Sequence, residues 1–202
     1  MITFIVKGNR ARTAPDFLLK DLPGSGGRID ILCRCLTSSL LLSHGIRKDV
    51  QVILCLGGEP DPPKCIRVMG DNVKHLSPDE RSTAILLMKA LESYRKGEEV
   101  ESTPGIYISG HSFKEILEQY RERIVLLDEG GDELGSMPVE EPCFVLGDHL
   151  GFDEAEEKLL STVKHRMRVS PLVLHGSHCI VLVLNRMDMI KERGNTERKT
   201  NR

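Results

Sequence analysis

The sequence predicts a single α/β domain, residues 1–202, whose mostly parallel sheet carries helices on both faces. Short apolar, β-branched runs such as VQVILCL and CFVLGD are typical of buried strands, and they alternate with segments of helical periodicity. The chain contains no internal repeat and no visible linker between domains. Its 202 residues, 40% of them hydrophobic, are sufficient for one core of ordinary composition.

The first strand and the first helix are both visible as apolar patterns. A strand is predicted over residues 2–6, followed by the polar loop GNRARTAPDF and the flexible turn LPGSGG. The segment IDILCRCLTSSLLLSHG predicts an amphipathic helix, because four apolar residues fall on one helical face: Ile29, Leu32, Leu36 and Leu40.

Two further strands and a second helix follow. VQVILCL and CIRVMG predict strands on either side of GGEPDPPK, whose prolines are incompatible with a helix or a central strand. The stretch SPDERSTAILLMKALESYRKG predicts a helix with Ser77 as its N-cap and Pro78 at its first position. Glu80 would complete a capping box, and Gly97 would end the helix.

The second half of the chain continues the alternation. GIYISG, IVLLDEGG, CFVLGD and HRMRVS predict strands, and DEAEEKLLSTV predicts a helix. Ser112 and Glu115 form a capping box in front of the helix SFKEILEQYRE. A last helix is expected from about residue 178 to 193, and residues 191–202 are expected to form a flexible basic tail.

Composition excludes several classes of protein. No apolar run approaches the roughly 20 residues of a membrane span, and MITFIVKGNR lacks the basic region of a secretory signal. Six cysteines without a CxxC pair indicate a reduced, cytoplasmic protein. His175, His178 and Cys179 match no standard zinc spacing, so no metal is expected.

Charge points to nucleic acid only locally. The net charge is -2, but residues 1–50 carry eight Lys and Arg against four Asp and Glu. This excess permits a basic face for RNA, and an ordinary solvated surface is the alternative. With three Tyr, five Phe and no Trp, the chain is poorly suited to stack the bases of single-stranded nucleic acid.

Three junctions late in the chain predict a ligand site: LLDEGGDE, VLGDHLGF and SPLVLHGSHC. Each places glycine or a tight polar turn directly after an apolar run. Glycine allows backbone amides to approach a ligand closely, and strand ends of α/β sheets are where ligands bind. Standard phosphate-binding motifs such as GxGxxG and GxxxxGK[ST] are absent. The junctions could hold adenosine, or they could be three ordinary turns.

Four stretches together resemble one known family: GRIDILCRCLTSSLLLSHGIRKDV, LSPDERS, FVLGDHLGF and SHCIVLVLN. They resemble the archaeal tRNA pseudouridine N1-methyltransferases of the SPOUT superfamily, in order over nearly the whole chain. The resemblance implies an S-adenosylmethionine-dependent enzyme that methylates N1 of a pseudouridine in the tRNA T-loop. It further implies a C-terminal trefoil knot and a homodimer.

The resemblance also places the cofactor at the three junctions. Carried over position by position, the cofactor-binding residues are Leu127, Gly147, Val169, Ser170, Pro171, Leu172, Val173, Leu174 and Cys179. Cys179 is expected to form part of the cofactor wall, because N1 of pseudouridine is itself a nucleophile once deprotonated.

Three residues are catalytic candidates, because the N1–H group is a weak acid. Asp30 or Asp61 could act as the base, and Arg34 could stabilise developing negative charge or contact phosphate. Asp30 and Arg34 stand four residues apart on one helical face, so a plain salt bridge is the alternative. Asp61 lies in a proline-rich loop and could be a plain turn residue.

Two surfaces are predicted as well. Five arginines of the basic N-terminal region are expected to draw in RNA: Arg10, Arg12, Arg28, Arg34 and Arg47. An apolar stripe on the last helix is expected to form the dimer interface or to pack on the sheet: Ile180, Val183, Leu184 and Met187.

Two alternative functions remain open from the sequence. One is a ribosomal RNA pseudouridine N1-methyltransferase, although no additional RNA-binding insertion is recognisable in this compact chain. The other is a non-catalytic RNA-binding or assembly factor on the same fold, which would retain cofactor binding without methyl transfer.

Overall fold

Ten strands and five α-helices are present in the part of the chain that the computed structural model describes, residues 1–135 and 139–200, with side chains as far as residue 193. The strands are β1 Ile2–Gly8, β2 Leu41–Leu42, β3 Gly45–Ile46, β4 Val50–Leu56, β5 Lys64–Met69, β6 Val100–Thr103, β7 Ile106–Ser109, β8 Ile124–Glu133, β9 Cys143–Gly147 and β10 His165–Arg168. The helices are α1 Ile29–Leu40, α2 Glu80–Glu92, α3 Phe113–Tyr120, α4 Glu154–Leu160 and α5 Gly176–Thr200, and a 3-10 turn covers Arg121–Arg123.

Eight of the strands form one sheet in the order β10-β8-β9-β1-β4-β5-β7-β6. The pairs from β10 to β4 are parallel, and those from β4 to β6 are antiparallel. The predicted α/β fold with a mostly parallel sheet is therefore confirmed. The loop between β4 and β5 is confirmed, whereas β6, with the polar sequence VEST, was not predicted and adds a hairpin with β7 at the edge of the sheet.

The helices lie on both faces of the sheet, as predicted. Side chains of β1 alternate between two cores, because successive residues of a strand point to opposite faces. Phe4 points to the core shared with α1, α2 and α5, where its ring stacks on that of Phe144 at 5.4 Å between centroids. Ile5 points to the smaller core under α3 and α4. The central strand β1 is therefore buried along its whole length.

The predicted face of α1 is confirmed, whereas the start of α2 differs from prediction. Ile29, Leu32, Leu36 and Leu40 are all fully buried. The N-cap of α2 is Asp79, whose Oδ1 accepts the amide of Ser82 at 2.8 Å, and not Ser77. A carboxylate caps a helix at least as well as a hydroxyl, so the aspartate two residues later starts the helix instead. The helix also ends at Glu92, before Gly97.

The stripe on α5 that was predicted to form a dimer interface is buried inside the domain. Ile180, Val183, Leu184 and Met187 are between 0% and 7% exposed and belong to the core shared with α1. The interpretation of this stripe as an intermolecular surface is therefore wrong, because its apolar side chains pack into the core of the same domain, beside α1.

The far C-terminus and the knot bear on two further predictions. The backbone is helical through Thr200. The side chains of residues 194–200, and residues 201 and 202 as a whole, lie outside the described part. The flexible tail stays a prediction. The trefoil knot likewise stays an expectation of the resemblance, since strand order by itself does not establish how the chain is threaded.

Candidate active site

The three junctions meet in one cleft at the edge of the sheet where β9 ends. The cleft has a volume of about 760 Å³. It is lined by residues 127–129 of β8, 146–151 of β9 and its loop, 167–170 and 172–179, together with Arg28, Ile31 and Arg34. All of the predicted cofactor-binding residues except Pro171 line this cleft. Their contact with the cofactor stays a prediction, but the structure brings them together.

The loop after β9 is held rigidly by the residue that follows β1. Asn9 donates its backbone N–H to Asp148 Oδ2 and its side-chain amide to Asp148 Oδ1, both at 2.8 Å. The same amide donates to the carbonyl of Gly151 at 2.8 Å, and Leu150 N–H donates to Asp148 Oδ1 at 2.9 Å. The Asp148 side chain is only 2% exposed. Asp148 therefore anchors the loop.

Gly147 is the point of closest backbone approach in this loop. A Cβ atom at Gly147 would lie 3.0 Å from both Cα and O of Gly151, tighter than ordinary van der Waals contact. Gly176, at the start of α5, faces Leu146 in the same manner, with a Cβ at 3.0 Å from the leucine Cδ1. Without side chains at these two positions, the loop after β9 and the start of α5 can pack closely around the end of β9 at the cleft.

The first junction is a wide bulge in β8 and not the end of that strand. Leu126 pairs with Arg166 of β10, but the next residue of β10, Met167, pairs with Asp132. The intervening residues of β8, 127–131, are therefore displaced from the ladder, which brings Leu127 to the cleft. Arg166 holds the displaced segment through Asp128 Oδ2 at 2.6 Å.

The third junction is an irregular segment that leads into α5. Ser170 Oγ accepts the backbone N–H of Leu172 at 3.0 Å, which closes a local turn. Leu172 and Val173 are 72% and 74% exposed despite being apolar. Cys179 is half-buried, and burial raises the pKa of its thiol. A thiol kept protonated is a poor nucleophile, consistent with a role in the cleft wall.

Asp30 and Arg34 lie together beside the cleft. Arg34 donates to Asp30 Oδ2 at 2.8 Å, and Arg28 donates to both oxygens of the same carboxylate at 3.1 Å. Burial tends to raise the pKa of Asp30, but the hydrogen bonds from Arg28 and Arg34 outweigh it and hold the pKa below its ordinary value. Arg34 lines the cleft, whereas Asp30 is buried behind it.

Asp61 is not among the residues that line the cleft. Its side chain is 74% exposed and accepts from Lys64 Nζ at 2.7 Å, a contact that lowers the pKa of the carboxyl. The Asp61 N–H donates to Thr13 Oγ1 at 2.9 Å, so the loop is tied to the segment after β1. The structure gives Asp61 a place in a fixed turn, and its catalytic role stays a prediction.

Several cleft residues were not predicted as site residues. Arg28 precedes α1, and Asp128, His149, His175 and His178 flank the glycines of the junctions. Asp128 and the three histidines lie within the three junctions, and that position was their signal in the sequence. Arg28 is far from the junctions in the sequence and was predicted only as an RNA contact. No cluster of three or more metal-ligating side chains occurs within the described residues.

Comparison with known proteins identifies the family. A family model described as "Putative SAM-dependent RNA methyltransferase" matches residues 1–192. The chain belongs to this family. The family resemblance noted in the sequence is thereby confirmed.

Relatives of similar length carry a more specific name within this SAM-dependent RNA methyltransferase family. A Methanocaldococcus jannaschii protein is 42% identical, over 93% of this chain and 97% of its own length. A Methanosarcina mazei protein is 44% identical, over 96% of this chain and 94% of its own length. A Thermococcus kodakarensis protein is 46% identical, over 91% of this chain and 96% of its own length. All three are named tRNA (pseudouridine(54)-N(1))-methyltransferase.

A solved structure agrees with the fold of this family member. Archaeoglobus fulgidus Nep1, crystallised with S-adenosylhomocysteine, matches with a TM-score of 0.67 and 15% sequence identity. The match covers 95% of this chain and 99% of the Nep1 chain. At this identity the likeness concerns the fold alone, and it agrees with the α/β architecture of this chain.

Proposed function

We propose that this chain transfers a methyl group from S-adenosylmethionine to N1 of pseudouridine 54 in the T-loop of tRNA. The observation that carries the proposal is the sequence identity of 42–46%, over more than nine-tenths of the chain, with relatives named tRNA (pseudouridine(54)-N(1))-methyltransferase. A cleft built from the three glycine-bearing junctions supports it. A tRNA substrate also accords with a cytoplasmic protein.

The junctions offer the contacts that an adenosine moiety needs. Gly147 leaves the end of β9 without a side chain, and the loop that follows is fixed by Asn9 and Asp148. Leu127, Leu172 and Cys179 supply apolar walls. When bound, S-adenosylmethionine supplies an electrophilic methyl group on a sulfonium. A fixed cleft accelerates such a displacement by holding the nucleophile in line with the methyl carbon.

Arg10 is the strongest candidate to contact the tRNA backbone. It is exposed, and none of the hydrogen bonds or ion pairs seen among the described residues engages its side chain. Its backbone is fixed between Gly27 and Gly58, since a Cβ on either would collide with the Arg10 carbonyl. Arg12 is paired with Asp16, and Arg47 is held by Asp188 at 2.6 Å. The Arg10 guanidinium group is therefore free to contact a phosphate, and it extends from a backbone that is held in place.

The homodimer is proposed on a different face of α5 from the one first expected. Five apolar side chains remain exposed on the outer side of α5 and the segment before it: Leu172, Val173, Val181, Leu182 and Met189. A second copy of the chain would cover them through a two-fold contact, the commonest form of oligomer. The target nucleotide would then lie between one cleft and the neighbouring copy.

Mass spectrometry of tRNA tests the proposal directly. The purified protein is incubated with S-adenosylmethionine and a tRNA carrying pseudouridine at position 54, and the nucleosides are analysed for 1-methylpseudouridine. A tRNA with uridine at that position is the matched control and should remain unmethylated. Methylation of a ribosomal RNA fragment in place of tRNA, or cofactor binding without transfer to either, would refute the proposal and favour one of the two alternatives.

A further inference from the structure

Four charged side chains form a continuous row of ion pairs beside the cleft: Arg28, Asp30, Arg34 and Glu80. Asp30 accepts from both arginines, and Arg34 also donates to Glu80 Oε1 at 2.8 Å. The Asp30 side chain is 3% exposed, whereas those of Arg28 and Arg34 are 37% and 39% exposed and line the cleft. One buried carboxylate thus holds two like-charged groups side by side at the cleft wall.

The backbone of Arg28 is an independent sign that its side chain is needed there. Its φ is +68°, the left-handed conformation that favours glycine and that is strained for a residue with a side chain. Arg28 precedes α1 yet provides no side-chain cap to the helix. Glycine or asparagine would fit this position better. What arginine provides is a guanidinium group that reaches both Asp30 and the cleft.

We propose that Asp30 is a positioning residue that holds Arg28 and Arg34 in the cleft wall, where both guanidinium groups stabilise the negative charge on the pseudouridine ring as N1 loses its proton. This inference rests on the proposed function. The N1–H bond breaks and its proton passes to water. The N1–CH₃ bond forms as the S–CH₃ bond of the methyl donor breaks, leaving a neutral thioether. The charge on the ring is shared by its carbonyl oxygens, which accept N–H donors.

Asp30 is unsuited to be the base that takes this proton. Its oxygens already accept three hydrogen bonds from the two arginines, and its pKa lies below the ordinary value. A carboxylate so stabilised is a weak proton acceptor. The other titratable groups that face the arginines or line the cleft are Cys33 on α1, Glu80 on α2, Asp128 and Glu129 on β8, Asp148 and His149 after β9, Arg168 on β10, and His175, His178 and Cys179 at the start of α5.

The dependence of kcat on pH distinguishes these roles. We expect Arg28→Gln and Arg34→Gln to lower kcat near neutral pH by about a hundredfold, as the loss of one donor to a developing anion does. The difference in kcat between each variant and the wild type should become smaller as pH rises, because hydroxide then removes the N1 proton without help from the arginines. Asp30→Asn should behave in the same manner with a smaller deficit.

A matched control is available on β5. Arg67 is also paired with a carboxylate, Glu99 at 2.5 Å, but it does not line the cleft. Arg67→Gln should therefore leave both kcat and its pH dependence unchanged. Thermal melting of every variant separates loss of fold from loss of activity, and the two arginine variants keep the inference testable if Asp30→Asn fails to fold.

Three results would overturn the inference. Complete loss of activity in Asp30→Asn at every pH would make Asp30 the base. A raised KM for tRNA with unchanged kcat in both arginine variants would make them phosphate contacts. An equal deficit in kcat at every pH would exclude stabilisation of the deprotonated ring. A wild-type protein that forms no 1-methylpseudouridine would instead refute the proposed function itself.

Discussion

Gly147→Ala should weaken binding of S-adenosylhomocysteine, the product of the proposed reaction, while leaving the protein folded. The added methyl would lie 3.0 Å from Cα and O and 3.1 Å from C of Gly151, whereas optimal carbon contacts are about 3.5–4.0 Å. All three atoms belong to backbone that Asn9 and Asp148 hold in place. The loop must therefore move by several tenths of an ångström.

The magnitude follows from the cost of overpacking. An additional methyl in a well-packed site costs about 1–3 kcal/mol, and 1.4 kcal/mol corresponds to tenfold in affinity. If binding requires the original position of the loop, the variant should bind about tenfold more weakly in titration calorimetry. Gly45→Ala is the control, because a Cβ at Gly45 meets no atom within 4 Å. Wild-type affinity in a folded Gly147→Ala protein would refute the placement of the cofactor against β9.

Three further predictions concern the loop, the dimer and the acid limit of stability. Asn9→Ala removes two side-chain hydrogen bonds, to Asp148 Oδ1 and Gly151 O, and should lower the free energy of unfolding in urea by about 1–3 kcal/mol; no change would mean that the loop is held by other contacts. Val181→Glu should yield folded monomers in sedimentation, because Val181 is 50% exposed. Met187→Glu should instead destabilise the fold, because Met187 is only 7% exposed. A Val181→Glu protein that still forms dimers would place the interface elsewhere. The pKa of Asp30 is lowered in the folded protein, so its ion pairs contribute stability above the ordinary aspartate pKa of about 3.9 and lose it as pH falls through the folded value. The thermal midpoint of Asp30→Asn should therefore fall less steeply below pH 4 than that of the wild type, and parallel curves would contradict this linkage.

Local patterns determined most of the secondary structure and the location of the cleft. The apolar runs of β1, β4 and β9 and the buried face of α1 follow from side-chain periodicity alone, because burial selects the residues that point inward. The capping box of Ser112 and Glu115 is visible as a short motif and is present in the structure. The three junctions were recognisable because glycine after a buried strand is a local signal.

Only the tertiary structure decided which chemistry each polar side chain can perform. Asp30 and Asp61 were equivalent candidates in the sequence. In the structure, Asp30 is buried and paired with two arginines, whereas Asp61 is exposed, paired with Lys64 and absent from the cleft lining. The stripe on α5 had the same pattern whether it covered the sheet or a second copy. Hydrogen bonds between residues about 140 positions apart, such as Asn9 to Asp148, leave no local trace. Burial and partner are properties of the packed fold, because they depend on which distant segments meet.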